Sequence, residues 1–172
     1  MLEAVLSSSI DRPLVIVGAM AWKATGELRL LDHGVETGRI LLLDYLSQSV
    51  LIAVLRGARA LLFPSLAEGF GLPVVEAMTF GTPVLTSREG ALAEIGGGAV
   101  LSVDPYDVSD IIRSIEALDR DDALRARLRA AVPAQADRFN MDRYPARPPA
   151  DRHALVDGHT VDLGWRRRRQ NK

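Results

Sequence analysis

The chain has 172 residues, of which 48% are hydrophobic and 25% are charged, and its formal net charge at pH 7 is -1. A chain of this length is expected to form one domain with a sizeable core, and its composition is that of a soluble globular protein. The balanced charge gives no indication of a nucleic-acid partner, and the absence of cysteine excludes disulfide scaffolds, thiol catalysis and thiolate metal sites.

Short apolar runs along the chain predict buried strands. They span residues 13–18, 39–46, 58–65, 82–87 and 98–103. Because apolar and polar residues do not alternate within them, we expect both faces of each strand to be buried. A parallel sheet that is covered by helices on both sides has this property.

Segments with helical spacing separate these strands. Residues 2–8 have the pattern of a helix end, residues 26–34 form a short helix that Gly34 closes, and residues 47–58 form a helix that Ser47 caps. Two further helices are predicted at residues 105–118 and 119–132. The alternation predicts an α/β fold with a doubly wound parallel sheet over residues 1–140. Residues 141–172 are expected to be an irregular, poorly ordered tail rich in proline and arginine.

The stretch FPSLAEGFGLPVVEAMTFGTPVL, residues 63–85, places two glutamates around a turn. Glu68 lies in the turn that leaves a strand, and Glu76 lies one turn inside the next helix. Pro73 is predicted at the first position of that helix, and Gly81 is predicted to close it in a left-handed conformation. Open parallel sheets bind ligands outside the carboxyl ends of their strands, so we expect a ligand at this turn.

The chemistry of this turn predicts a nucleotide-sugar site. The amides of Phe70, Gly71 and Leu72 are expected to point outward at a helix start, where partial positive charge favours a phosphate. Gly69 and Gly71 let the backbone approach such a group closely. The first glutamate can reach beyond the phosphate, and the second can accept hydrogen bonds from a ribose. The alternative is two solvated carboxylates that the helix dipole stabilises.

The stretch resembles the E-x7-E region of the retaining glycosyltransferases with two facing Rossmann-like domains. This group 1 family (GT-B type, family 4-like) includes sucrose synthase, glycogen-synthase-like enzymes and many bacterial mannosyltransferases. Glu68 and Glu76 match the two motif glutamates with GFGLP between them, and the similarity extends roughly over residues 2–139. The resemblance implies that the chain is the carboxyl-terminal, donor-binding half of such an enzyme, with a Rossmann-like fold.

The resemblance also implies roles for single residues. Glu68, the catalytic residue in this assignment, contacts the hydroxyls of the donor sugar, and Glu76 binds the nucleotide ribose. A hexose of mannose or glucose type is transferred with retention of configuration from a nucleoside-diphosphate sugar, with no metal and no other cofactor. Further positions line the base or approach the sugar and the diphosphate; they are Tyr45, Leu46, Gly69, Phe70, Gly71 and Leu72.

Departures from the family bear on activity. The amino-terminal acceptor domain and the Arg–Lys pair that neutralises the diphosphate have no counterpart in this sequence. Lys23 is a candidate cation that does not match that pair. We therefore expect a fragment that transfers sugars poorly alone and whose partner is a missing or separately encoded amino-terminal domain. The apolar surface that such a domain leaves uncovered would favour self-association.

Alternatives to this interpretation stay open. They are a nucleotide-binding module without catalysis, a sugar epimerase or hydrolase of the same architecture, and a structural partner of a separately encoded half. The amino-terminal segment has neither the basic start nor the continuous apolar core of a signal peptide, so the cytoplasm is the expected location. Arg166–Arg169 would suit the inner membrane surface, or form a solvated end.

Overall fold

The computed structural model describes residues 1–18, 25–139, 153–156 and 159–162. The chain divides into two compact units, Met1–Phe139 and Asn140–Lys172. In chain order, the elements of the first unit are α1 (Leu2–Ser7), β1 (Leu14–Val17), α2 (Thr25–Glu36), β2 (Ile40–Leu43), α3 (Gln48–Gly57), β3 (Leu61–Phe63), α4 (Leu72–Thr79), β4 (Val84–Ser87), α5 (Gly90–Gly96), β5 (Leu101–Val103), α6 (Val108–Arg120) and α7 (Asp122–Ala136). Short 3-10 turns follow α5 and α7 at Gly97–Ala99 and Asp137–Phe139. No helix in these ranges has the length and apolar character that a membrane crossing needs.

The strands of the first unit pair in parallel. β1 pairs with β2, and β4 lies between β3 and β5. Parallel neighbours need a crossover connection, and α2, α4 and α5 supply these crossovers. The α/β fold with parallel strands and interspersed helices is therefore confirmed. Within the described residues of the first unit the ladders form a two-stranded and a three-stranded sheet, whereas the sequence predicted one sheet.

The core lies on both faces of β4. Val84 belongs to a cluster under α4, α5 and α7, and Leu85 belongs to a cluster with α1 and α6. Successive side chains of a strand point to opposite faces, so neighbouring residues reach different clusters. All four residues of β4 are buried, as predicted for each of the apolar runs.

The prediction that both strand faces are buried is wrong for β2. Leu41 and Leu42 are exposed, and so is Val15 on the neighbouring β1. Among the described residues β2 pairs with β1 alone, so it is an edge strand without neighbours on its other side. Its position, and not its composition, leaves these leucines uncovered.

Several predicted helix boundaries need correction. α2 continues through Gly34 to Glu36, and a Cβ on Gly34 would collide with Ile40, so this glycine serves close packing and does not end the helix. Pro73 is the second residue of α4, after Leu72, and not the first. The seven-residue α5 was not predicted, because its glycines interrupt the apolar period.

The second unit contains a feature that the sequence did not indicate. The strands β6 (His153–Val156) and β7 (His159–Asp162) pair antiparallel, with His153 opposite Asp162. The expectation of an irregular tail missed this pair. The remaining tail positions, including Arg166–Arg169, lie outside the described residues.

Candidate functional site

The root of the loop after β3 is fixed by hydroxyl groups from β4. The carbonyl oxygen of Phe63 accepts two hydrogen bonds, one from the Ser65 amide at 2.9 Å and one from the Thr86 hydroxyl at 3.1 Å. The hydroxyl of Ser87 donates to the carbonyl of Ser65. Thr86 and Ser87 are buried, and these bonds satisfy them. The loop therefore leaves the carboxyl end of β3 from a fixed base, and its outer part, residues 66–70, is exposed.

Gly71 caps the start of α4 in a conformation that favours glycine. Its φ is 77°, in the left-handed region, and the residue is buried. A Cβ at this position would lie 2.5 Å from Leu92 Cδ2 on α5. The sequence suggested that this glycine permits the close approach of a ligand. The structure adds that the packing of α4 against α5 also requires it.

The start of α4 presents unpaired backbone donors. Among the described residues, no acceptor forms a hydrogen bond with the N–H groups of Phe70, Gly71 and Leu72, and no side chain caps the helix. Pro73 follows and has no N–H group. The first amides with partners are those of Val74 and the next residue, which both donate to the carbonyl of Gly71. Three N–H groups and the positive end of the helix dipole are thus available to an anion.

The two motif glutamates lie on either side of these amides. Glu68 is in the loop before α4, and Glu76 is the fifth residue of the helix. Both side chains are exposed, and neither forms a hydrogen bond or an ion pair with any residue that the structure describes. Their oxygens are therefore free to accept hydrogen bonds from a bound molecule.

The other predicted positions are apolar or aromatic and mostly exposed. The Phe70 ring packs edge-to-face on Phe139, with 6.3 Å between the ring centroids, and Leu72 is 58% exposed. Tyr45, 85% exposed, and the half-buried Leu46 follow the carboxyl end of β2. These two residues thus lie on a different segment from the other six predicted residues, which are in the loop after β3 and in α4, and no hydrogen bond or aromatic contact joins the two groups within the described residues.

An ion pair at the next two strand ends was missed by the sequence analysis. Arg88 follows β4, and its guanidinium contacts the carboxylate of Asp104, after β5, at 2.5 Å. The amide of Tyr106 and then the Arg88 side chain hold the pKa of Asp104 below its usual value. The signal was available, since charged residues directly follow both apolar runs. Lys23, the other candidate cation, lies outside the described residues.

Comparison with known proteins identifies the family. The model for "Glycosyl transferases group 1" matches residues 2–135. The chain belongs to this family. Among curated relatives, it is 36% identical over 130 residues to the O-antigen chain mannosyltransferase B of Escherichia coli. That match covers 76% of this chain and 34% of the relative, so the chain spans about a third of the relative's length.

Solved structures agree on the fold of this glycosyltransferase domain. HepE from Anabaena, in complex with UDP-glucose, superimposes with a TM-score of 0.68 at 19% identity, over 80% of this chain and 39% of that one. The C-terminal domain of the group 1 glycosyl transferase LpcC from Francisella tularensis gives a TM-score of 0.65 at 24% identity, over 80% of this chain and 75% of that domain. The α/β domain is thus one Rossmann-like half of the GT-B architecture.

Proposed function

We propose that this chain is the donor-binding domain of a retaining glycosyltransferase that moves a hexose of mannose or glucose type from a nucleoside-diphosphate sugar to an acceptor. The start of α4 carries the proposal, because three unpaired amides and two exposed carboxylates lie within residues 68–76. A relative that is named a mannosyltransferase supports the sugar class. A structural neighbour in complex with UDP-glucose supports the donor class.

The amides at the start of α4 hold the diphosphate in this proposal. As the bond between the sugar and the diphosphate breaks, negative charge develops on the leaving phosphate oxygen. Fixed N–H donors and the helix dipole stabilise that charge without having to reorient. A hydrogen bond to a charged group contributes roughly 1.5–3 kcal/mol, so each amide matters to affinity. As the resemblance to the retaining glycosyltransferases implies, we expect no metal cofactor.

The two carboxylates bind the remaining parts of the donor. Glu76 accepts hydrogen bonds from the ribose hydroxyls, and Glu68 accepts them from the hydroxyls of the transferred sugar. The exposed ring of Tyr45 and the neighbouring Leu46 line the base. Each of these groups is exposed or half-buried, so the domain can make these contacts without losing internal ones.

An acceptor-binding domain completes the proposed reaction, either in the same polypeptide or separately encoded. Exposed apolar side chains surround the proposed donor site; they are Tyr45, Leu66, Phe70 and Leu72. A second domain that closes over them would exclude water from the diphosphate and strengthen its hydrogen bonds. Without that domain, the same side chains would promote association between copies of this chain.

Calorimetric titration tests the proposal. The purified chain is titrated with GDP, UDP and ADP, and with GDP-mannose, UDP-glucose and ADP-glucose. We expect one base series to bind, and the Glu76→Ala variant to bind it about tenfold or more weakly, since a lost charged hydrogen bond exceeds the 1.4 kcal/mol that a tenfold change represents. The matched control is Glu36→Ala, which removes the same charge from the exposed end of α2.

Two results would contradict this assignment. One is the absence of nucleotide binding, and the other is an equal effect of the Glu76→Ala and Glu36→Ala variants, including no effect of either. NMR spectra of the donor sugar, recorded during the titration, test the remaining alternative, in which the protein changes the donor without an acceptor. Epimerisation or hydrolysis of the sugar without an acceptor would favour an epimerase or hydrolase of the same architecture.

A further inference from the structure

A separate pocket lies at the opposite ends of the strands from α4. Its volume is about 330 Å³, and it is lined by Arg12, Gly57, Ala58, Arg59, Arg125 and Arg129. Arg12 precedes β1 and Arg59 precedes β3, so the pocket lies at the amino ends of these strands. α4 instead begins beyond the carboxyl end of β3. We call this cavity the arginine pocket, since all of its charged lining residues are arginines.

Two of the arginines are held rigidly by the turn between α6 and α7. The buried Arg125 donates from Nη1 to the carbonyls of Leu118 at 2.7 Å and Asp119 at 2.9 Å, and it pairs with Asp122. Arg59 donates to the same Asp119 carbonyl and pairs with the Asp119 carboxylate at 3.2 Å. These bonds satisfy carbonyls at the end of α6 and fix both guanidinium groups at the wall of the pocket.

The other two arginines retain unused donors. Arg12 contacts the Asp119 carboxylate through Nε at 3.0 Å, and its terminal nitrogens have no hydrogen-bond partner within the described ranges. Arg129 lies one turn after Arg125 on α7 and is exposed. It pairs with no carboxylate in the part of the chain that the structure describes. The donors of both residues are therefore available at the pocket.

The local charge of the arginine pocket is positive. Its four guanidinium groups face three nearby carboxylates, those of Asp119, Asp121 and Asp122, and none of these carboxylates lines the cavity. Burial, and then the positive charge of Arg59, lower the pKa of Arg125. The like charges thus repel one another across the pocket, and a bound anion would relieve this repulsion.

We propose that the arginine pocket binds a phosphate group. Planar guanidinium groups bind phosphate oxygens through paired N–H donors, and the volume lies at the lower end of the range for small-ligand sites. Free phosphate or a phosphate ester can supply this group, and so can a phospholipid headgroup. The site is distinct from the proposed donor site, because the two lie at opposite ends of the strands.

Two binding measurements on the full chain test this proposal and distinguish a free phosphate from a phospholipid headgroup as the ligand. One is calorimetric titration with inorganic phosphate at constant ionic strength set with chloride. The other is cosedimentation with vesicles of phosphatidylglycerol and phosphatidylcholine. Both use the Arg129→Gln variant, and the matched control Arg127→Gln removes the same charge from an exposed position of α7 outside the pocket. Arg12→Gln provides a second pocket variant, and circular dichroism checks that each variant folds.

We expect Arg129→Gln and Arg12→Gln each to weaken binding about tenfold to a hundredfold, the range for losing a charge-assisted hydrogen bond, and Arg127→Gln to leave binding unchanged. Phosphate binding with this pattern identifies a free anion as a ligand, and the pattern in vesicles alone identifies a lipid headgroup. The proposal is overturned if neither arm shows binding. Equal losses in the pocket and control variants would also overturn it, because they indicate diffuse charge attraction. So would phosphate binding that no pocket variant weakens, because the anion would then bind outside the arginine pocket.

Discussion

The substitution Gly71→Ala tests the geometry on which the proposed donor site depends. With φ at 77°, an alanine would be held in the left-handed region, which costs an L-residue roughly 1–2 kcal/mol. Its Cβ would also lie 2.5 Å from Leu92 Cδ2, and Leu92 is buried in the core beneath α4. Overpacking of this kind typically costs about 1–3 kcal/mol. Together these terms predict that the free energy of unfolding falls by about 2–5 kcal/mol.

Urea unfolding followed by circular dichroism measures this change, with Gly69→Ala as the matched control. A Cβ on Gly69 meets no atom within 4 Å, and its φ is not positive. We therefore expect Gly69→Ala to shift the free energy of unfolding by less than about 1 kcal/mol in either direction. The double variant Gly71→Ala/Leu92→Ala separates the two terms, because removing the Leu92 side chain relieves the collision and leaves the backbone strain.

Three results would contradict this reasoning. If Gly71→Ala unfolds at the urea concentration of the wild type, the left-handed start of α4 is wrong. If Gly69→Ala costs as much as Gly71→Ala, the loop is sensitive to any side chain and the particular geometry of Gly71 explains nothing. If the double variant is destabilised by the full sum of the single variants, the contact with Leu92 contributes nothing and the strain accounts for the whole loss.

Other predictions concern side chains that hold elements together. Asp107 accepts hydrogen bonds from two amides of α6, so Asp107→Ala should cost about 1 kcal/mol in urea unfolding, whereas Ser47→Ala should cost little because Ser47 makes no cap bond. The buried Thr82 hydroxyl donates to the carbonyl of Leu55 at the end of α3, which also accepts from the Ala58 amide, so Thr82→Val should lower the free energy of unfolding by about 0.5–1.5 kcal/mol, the net contribution of one hydrogen bond. Hydrogen bonds from the hydroxyl and amide of Ser9 lower the pKa of Glu116 from its ordinary 4.5. That stabilisation is complete above about pH 4.5 and is lost as the pH falls through the lowered pKa, so the melting temperature of Glu116→Gln should fall less than that of the wild type between pH 6 and pH 3.

The strands show how far composition predicts burial. β2, with the sequence ILLL, is half exposed, whereas β4, with the sequence VLTS, is fully buried although two of its residues carry hydroxyls. β4 pairs on both sides, and its hydroxyls donate to carbonyls at the end of β3 and in the loop after it, whereas β2 pairs on one side within the described residues. The apolar runs predicted that strands form at these places. Which strand is central depends on neighbours that are distant in sequence, and no local pattern contains that information.

The candidate sites also differ in how far the sequence predicts them. The positions of Glu68 and Glu76 around the start of α4 could be predicted, because a turn and one helix contain them both. The contact between Arg88 and Asp104 depends on the pairing of β4 with β5, which brings the ends of two strands together. The arginine pocket combines residues from the loop before β1, the junction between α3 and β3, and α7, including Arg12 and Arg125. No spacing in the sequence indicates that these residues meet.

A site built from backbone amides responds to substitution in a particular way. Replacing the exposed Leu72 with alanine removes a side chain but keeps its N–H group in place, so Leu72→Ala should bind the nucleotide series with nearly the wild-type affinity. Gly71→Ala removes no polar group, yet it strains the backbone at φ 77° and brings a Cβ to 2.5 Å from Leu92 Cδ2, so the amides at the start of α4 are expected to shift. We therefore expect the smaller chemical change to cause the larger loss of affinity, in calorimetric titrations at a temperature where both variants are folded. The opposite order would mean that the Leu72 side chain, and not the amides, holds the donor.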